Sequence, residues 1–132
     1  MSWTARTSAD LPKPAGPYSH VVDTGKFVFT AGFGPQDPAT GVVPEGITAQ
    51  TEQVLDNVEG ALGAVGLGLG DVVKATVHLQ HLDRDFADYN EVYARRFRSP
   101  YPVRTTVGST LAGILVEVDV VAVRPDGPAA GS

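Results

Sequence analysis

Two carboxylates, Glu117 and Asp119, interrupt the otherwise apolar run Leu115–Val123. Two residues apart on an extended strand, they project from one face, while Val116, Val118, Val120 and Ala122 face the other way. A carboxylate in such a strand is costly to bury unless something pairs with it. The expected partner is Arg104, the only charge in a second strand-like segment, Tyr101–Val107. One guanidinium beside two carboxylates suits two roles. Arg104 can grip the carboxylate of a small substrate with its two-pronged donor set, while an acid positions water or moves a proton. Alternatively the three form a structural ion pair between strands, or a salt bridge between subunits. A buried pair contributes little net stability, so stability is a weak reason for it.

Other candidates are weaker. Tyr18, in the run AGPYSH, follows a Pro/Gly loop that fixes its backbone. Its hydroxyl either orients a ligand or is the wet tip of a half-buried aromatic. Of the three histidines, His20 is the candidate proton carrier. His78 and His81 lie three apart at a strand end, where side chains diverge, and no HExxH-like spacing exists, so no metal site is expected. Gly66–Gly70 is glycine-rich but follows a helix and precedes a strand. A phosphate loop needs the reverse order, so this segment reads as a helix stop and turn. Ser109 and Thr110 have no neighbouring histidine to activate them, so a serine nucleophile is not supported.

The elements that must position these residues are legible from periodicity. Trp3–Thr7 fits a short edge strand, and Leu11–Pro17 a Pro/Gly loop. Ser19–Asp23 and Lys26–Ala31 flank Thr24-Gly25 and read as a hairpin. Gly32–Gly46 reads as a long loop. Ile47–Val65 carries Ile47, Thr51, Val54, Leu55, Val58, Leu62 and Val65 on one face of a helix, with Gly66 as its left-handed stop. Val72–Leu79 alternates, with Val73, Ala75, Val77 and Leu79 on one face and Lys74, Thr76 and His78 on the other. Asp85–Arg98 is a second helix with the stripe Phe86, Tyr89, Tyr93 and Phe97, capped by Asp83 or Asp85. Strands at Val103–Val107 and Leu115–Val123 follow. The result is an α+β domain: two helices on one face of a mixed sheet of five or six strands. The second face is also apolar, and a small two-layer domain buries such a face against another subunit, so an oligomer is expected.

Composition narrows the classes. The 132 residues fit one domain, expected over residues 1–124, with 125–132 as a loose Pro/Gly/Ala tail. At 42% hydrophobic and 19% charged, the chain can build a packed core. A net charge of −5 argues against a general nucleic-acid binder. The cluster Arg95, Arg96 and Arg98 complements the end of the second helix instead. With no cysteine, disulfides and thiolate chemistry are excluded. No segment resembles a signal peptide or membrane span, so a cytoplasmic location is expected.

The segments AGPYSH, FVFTAGFGPQDPATG, QTEQVLDNVEGAL, GDVVKATVHL, FADYNEVYARRF, YPVRTTVG and LVEVDVVAV together resemble the Rid family of reactive-intermediate deaminases, the YjgF/YER057c/UK114 group also labelled endoribonuclease L-PSP. The resemblance runs from about Pro14 to Val123. It implies a chorismate-mutase-like fold and a homotrimer with sites in clefts between subunits. It further implies hydrolysis of 2-enamine and 2-imine intermediates of amino acids, such as 2-aminoacrylate, to the 2-keto acid and ammonia, without a cofactor. Arg104 would bind the substrate carboxylate, and Thr106 and Gly32 would offer backbone groups. Tyr18 and Asn90 would line the site, Asp119 would order the hydrolytic water, and Glu117 would help it or pair with Arg104. Three positions depart from the family pattern. Asp119 stands for a glutamate, shorter by about 1.5 Å of reach; Thr106 stands for a cysteine and Ala31 for a serine. The shortened acid motivates an alternative, a non-catalytic trimer that binds small carboxylates. The ribonuclease of the older label is disfavoured by the acidic balance and by the lack of a base–nucleophile pair.

Overall fold

The computed structural model describes residues 2–126; residues 127–132, most of the expected tail, lie outside them. Six strands form one sheet: β1 (Thr4–Arg6), β2 (Val21–Asp23), β3 (Phe27–Thr30), β4 (Val72–Leu79), β5 (Val103–Gly108) and β6 (Val116–Val123). Their order is β1-β2-β3-β6-β4-β5, antiparallel except for the parallel β4–β5 pair. Helices α1 (Ile47–Gly63) and α2 (Leu82–Arg96) cover one face. Parallel β4 and β5 require a crossover, and α2 supplies it. This is the mixed α+β architecture that the alternation of periods predicts.

The core lies between helices and sheet. Ile47, Thr51, Val54, Leu55, Val58, Leu62 and Val65 are all buried, as the 3.6-residue stripe of α1 requires. They meet Val28, Ala75, Val77, Leu79 and the buried row Val116, Val118, Val120 and Ala122 of β6. Gly66 follows α1 with φ 78°, and Leu67 N–H donates to Leu62 O, closing the helix end.

Three local expectations fail. α2 begins at Leu82, three residues early, with His81 as an N-cap that makes no side-chain bond. Asp83 and Asp85 therefore sit inside its first turn, where carboxylates meet the positive helix end. Val73 does not share a face with Ala75. The β4–β6 register slips between Val72 and Lys74, leaving Val73 42% exposed while Val72 is buried. Phe86 leaves the buried stripe of α2 and is 38% exposed.

The face away from the helices is uncovered. Phe27 and Phe29 of β3 and Val103 and Val107 of β5 are exposed there, alongside Glu117, Asp119, Thr76 and His78.

Candidate functional site: two half-sites on opposite faces

Register divides the predicted site residues into two groups. Arg104 pairs with Ala75, which pairs with Val120; Thr106 pairs with Val77, which pairs with Val118. Ala75, Val77, Val118 and Val120 are buried under the helices, so Arg104 and Thr106 project to the helix face. Glu117 pairs with His78, and Asp119 with Thr76, on the opposite, open face. Strand β4 lies between β5 and β6, a separation of about 10 Å. The expected ion pair between Arg104 and Glu117 or Asp119 is therefore absent within the chain. A pair of strands adjacent in sequence is not adjacent in the sheet, and their charged residues have opposite parity.

The first half-site is a cleft of about 430 Å³ lined by Asn90, Tyr93, Ala94, Tyr101, Pro102 and Arg104. Arg104 Nη1 donates to Asn90 Oδ1 at 2.7 Å. Its guanidinium carbon lies 4.6 Å from the ring centre of Tyr93, 5.4 Å from Tyr89 and 5.8 Å from Phe86. The partly exposed Phe86 thus forms the edge of an aromatic cradle that holds the cation. Among the described residues no carboxylate pairs with Arg104. Thr106 Oγ1 bonds the hydroxyl of buried Tyr89 at 2.7 Å, which pins β5 to α2. Burial pushes the phenols of Tyr89 and Tyr93 up, that of Tyr93 to about 12, with the nearby Arg104 charge opposing the rise. Both therefore stay protonated at neutral pH.

The second half-site is a cleft of about 550 Å³ whose walls include Tyr18, His20, Gly32, Phe33, Ile114 and Glu117. Its geometry follows from a slip in pairing. Phe29 pairs with Val121, yet Phe33 rather than Gly32 bridges to Val118, with hydrogen bonds of 2.8 and 3.0 Å. The extra residue between Phe29 and Phe33 bulges the chain there, and Gly32 lies on the Glu117 side chain. A Cβ at Gly32 would strike the Glu117 carboxylate. Asp119 is not among the lining residues. Burial pushes its carboxyl above the usual range, against the pull of His78 and Lys74.

Tyr18 is 47% exposed at this cleft, and its hydroxyl accepts a hydrogen bond from Ala15 N–H at 3.0 Å. His20 is buried and fully engaged by main chain. Its Nδ1 accepts from Ser8 N–H at 3.0 Å, and Nε2 lies 2.6 Å from Pro12 O. It braces the loop that carries Tyr18 rather than offering a free nitrogen. Ser109 does have a histidine neighbour: its Oγ lies 2.6 Å from His78 Nδ1. The sequence concealed this because 31 residues separate them. Two polar residues on the buried face of α1 were also missed. Asn57 Nδ2 donates to the carbonyls of Gly34 and Gln36, both at 2.9 Å, and Gln50 Oε1 accepts from Leu115 N–H at 2.8 Å. They tie the cleft's loop and the start of β6 to the helix. Polar side chains on the buried stripe were the available signal.

The α+β sheet thus carries a cradled guanidinium on one face and a glycine-backed carboxylate on the other. The chain belongs to the Endoribonuclease L-PSP (YjgF/Rid) family, whose pattern matches residues 8–124. It is 43% identical over 118 residues to a RutC family protein of Pyrococcus horikoshii, covering 87% of this chain and 93% of that one. It is 39% identical over 129 residues to the 2-iminobutanoate/2-iminopropanoate deaminase of Salmonella typhimurium, covering 94% and 99%. The crystal structure of Escherichia coli TdcF with bound serine superposes with a TM-score of 0.85 at 34% identity, covering 92% of this chain and 99% of that one. Among the described residues no helix is long and apolar enough to cross a membrane.

Proposed function

We propose that this chain hydrolyses 2-imino and 2-enamino acids to 2-keto acids and ammonia, as a homotrimer whose sites lie between subunits. The observation that carries the reading is the cradled Arg104, a cation facing a cleft with Asn90 as its only acceptor among the described residues. An unpaired guanidinium suits a planar carboxylate. The acid it needs stands on the other face of its own sheet, so a neighbouring copy must supply it. The exposed Phe27, Phe29, Val103 and Val107 give the open face reason to meet another copy. The names of the relatives and the serine bound by the Escherichia coli neighbour support an amino-acid-like substrate.

Arg104 of one copy holds the carboxylate. Glu117 of the next takes the place expected of Asp119, since it is Glu117 that meets Gly32 and lines the cleft with Tyr18. The imine carbon is already electrophilic, so holding the substrate, placing water and moving a proton suffice.

Subunit complementation tests this. Arg104→Ala and Glu117→Gln should each be inactive toward imines made in situ by an amino-acid oxidase. Mixed after unfolding and refolding together, they should recover about a quarter of wild-type activity, because a quarter of randomly formed interfaces join two intact halves. No recovery, with mixed oligomers present, would refute the shared site. Keto-acid binding without any turnover by wild type would favour the non-catalytic binder instead.

A further inference from the structure

Three buried polar side chains fix the walls of the Glu117 cleft. Asn57 donates to Gly34 O and Gln36 O, both at 2.9 Å, Gln50 Oε1 accepts from Leu115 N–H at 2.8 Å, and His20 Nε2 lies 2.6 Å from Pro12 O. The carbonyl of Leu115 is held as well, by Gln80 N–H at 3.0 Å. Pro12, Gly34, Gln36 and Ile114, the residue before Leu115, all line the cleft. Walls tied to the core in this way are preformed, and a preformed wall can discriminate between ligands by shape.

Ile114 and Glu117 rest on the same short stretch of backbone. Phe33 bridges to Val118 and is buried in the core, so Gly32 and Gly34 on either side of it face the opposite way. A Cβ at Gly32 would strike the Glu117 carboxylate, and one at Gly34 would lie 3.0 Å from Ile114 Cδ1. Residues two apart on an extended chain are about 7 Å apart, so the carboxylate and the Ile114 methyl stand about that far from each other along one wall. Non-bonded heavy atoms keep about 3.5–4 Å between them, and contact with both ends takes up this span.

The cleft offers no buried charge for a polar substituent. Lys13 is exposed, and Asp37 Oδ1 accepts from Ala39 N–H at 2.8 Å and Thr40 N–H at 3.0 Å. A 2-imino acid carries its carboxylate, nitrogen and side chain on one planar carbon. With the carboxylate on Arg104 of the neighbouring copy and Glu117 placing the water, the side chain points away from Arg104 and into this cleft. We propose that Ile114 is the specificity-determining residue of the site: it ends a recess for short apolar side chains and selects against longer and acidic ones. The inference rests on the deaminase reading above.

The test measures kcat/KM of the full-length protein for imines made in situ by an amino-acid oxidase from 2-aminobutyrate, norleucine and glutamate. The readout is the norleucine-to-2-aminobutyrate ratio within each enzyme, in which damage common to all substrates cancels. Wild type should favour 2-aminobutyrate. Ile114→Ala should raise the ratio by about 10-fold or more, the discrimination that a methylene or two gives in an apolar pocket. Gly34→Ala, whose methyl presses Ile114 into the recess, should lower it. If both variants keep the wild-type ratio while Arg104→Ala is inactive, the inference falls and the deaminase reading stands. A wild type that prefers the imine of glutamate also overturns it. If wild type turns over no imine, the deaminase reading falls, and calorimetry with 2-ketobutyrate and 2-ketohexanoate decides the recess. The ratio of the two affinities should then shift toward the longer acid in Ile114→Ala, and an unchanged ratio ends the inference as well.

Discussion

Arg104 and Glu117 stand on opposite faces of one sheet, with β4 between their strands. Backbone register fixes this relationship, and no rotamer of either side chain reverses it. The guanidinium is left with an aromatic cradle and one amide oxygen, and the carboxylate with a glycine backbone. A stabilising ion pair would have brought the two together. Their separation leaves each charge available to something outside the chain.

The two acids of β6 should differ sharply in their effect on turnover. Glu117→Gln keeps size and hydrogen bonding but removes the base, so kcat should fall by about 100-fold or more. Asp119→Asn should keep activity within about threefold, because Asp119 is not part of the cleft wall. Ammonia release from imines made in situ measures both. Equal losses would return the water-ordering role to Asp119.

Gly32→Ala should disable the site while leaving the fold. The added methyl meets the end of a flexible side chain, which can swing aside at small cost to stability. Glu117 then leaves its place over the bulge. We expect a melting temperature within a few degrees of wild type, since about 1 kcal/mol corresponds to a shift of that size. The loss in kcat should approach that of Glu117→Gln. Full activity in this variant would show that the close approach of Gly32 has no role.

Asp119 should also set a pH dependence of stability. Burial raises its carboxyl above the usual range in the folded state. The folded form therefore binds the proton more tightly than the unfolded form does. The stabilisation this gives is complete below the unfolded carboxyl range and is lost as pH rises through the folded value. Asp119→Asn should accordingly be more stable than wild type at pH 7, with the difference shrinking toward pH 3.5. Urea midpoints across that range would show it. A variant less stable than wild type at pH 7 would mean that the ionised carboxylate has a partner in the assembled protein.

Much of this fold was legible because burial follows period. The α1 stripe and the alternation of β6 were read correctly, since each faces one environment along its whole length. Val73 was misplaced because a bulge breaks the alternation locally, and bulges leave no mark in composition. The start of α2 was misjudged because Asp83 and Asp85 suit either a cap or a first turn. For the site, the residue types were legible and their grouping was not. Strand order decides which charges meet, and here β6 inserts between β3 and β4. The same cause hid the contact between His78 and Ser109, which only the parallel β4–β5 pairing creates.

The hydroxyl of Tyr93 offers a test of whether the Arg104 cleft is closed by another subunit. It is buried, and among the described residues it has no hydrogen-bond partner within the chain. An unsatisfied buried donor costs about 1–3 kcal/mol, so removing it should help the isolated fold. The ring beneath Arg104 would remain, so the 4.6 Å stacking contact survives in phenylalanine. Tyr93→Phe should therefore raise stability by up to about 1 kcal/mol in urea unfolding if the structure of one chain is the whole account. Burial pushes this phenol up to about 12, so the hydroxyl is a neutral donor throughout the accessible pH range and the comparison needs no correction for ionisation. If Tyr93→Phe instead lowers stability, and does so only at concentrations where the protein is oligomeric, the hydroxyl has found its acceptor on a neighbouring copy. The aromatic cradle would then be part of the interface as well as of the anion site.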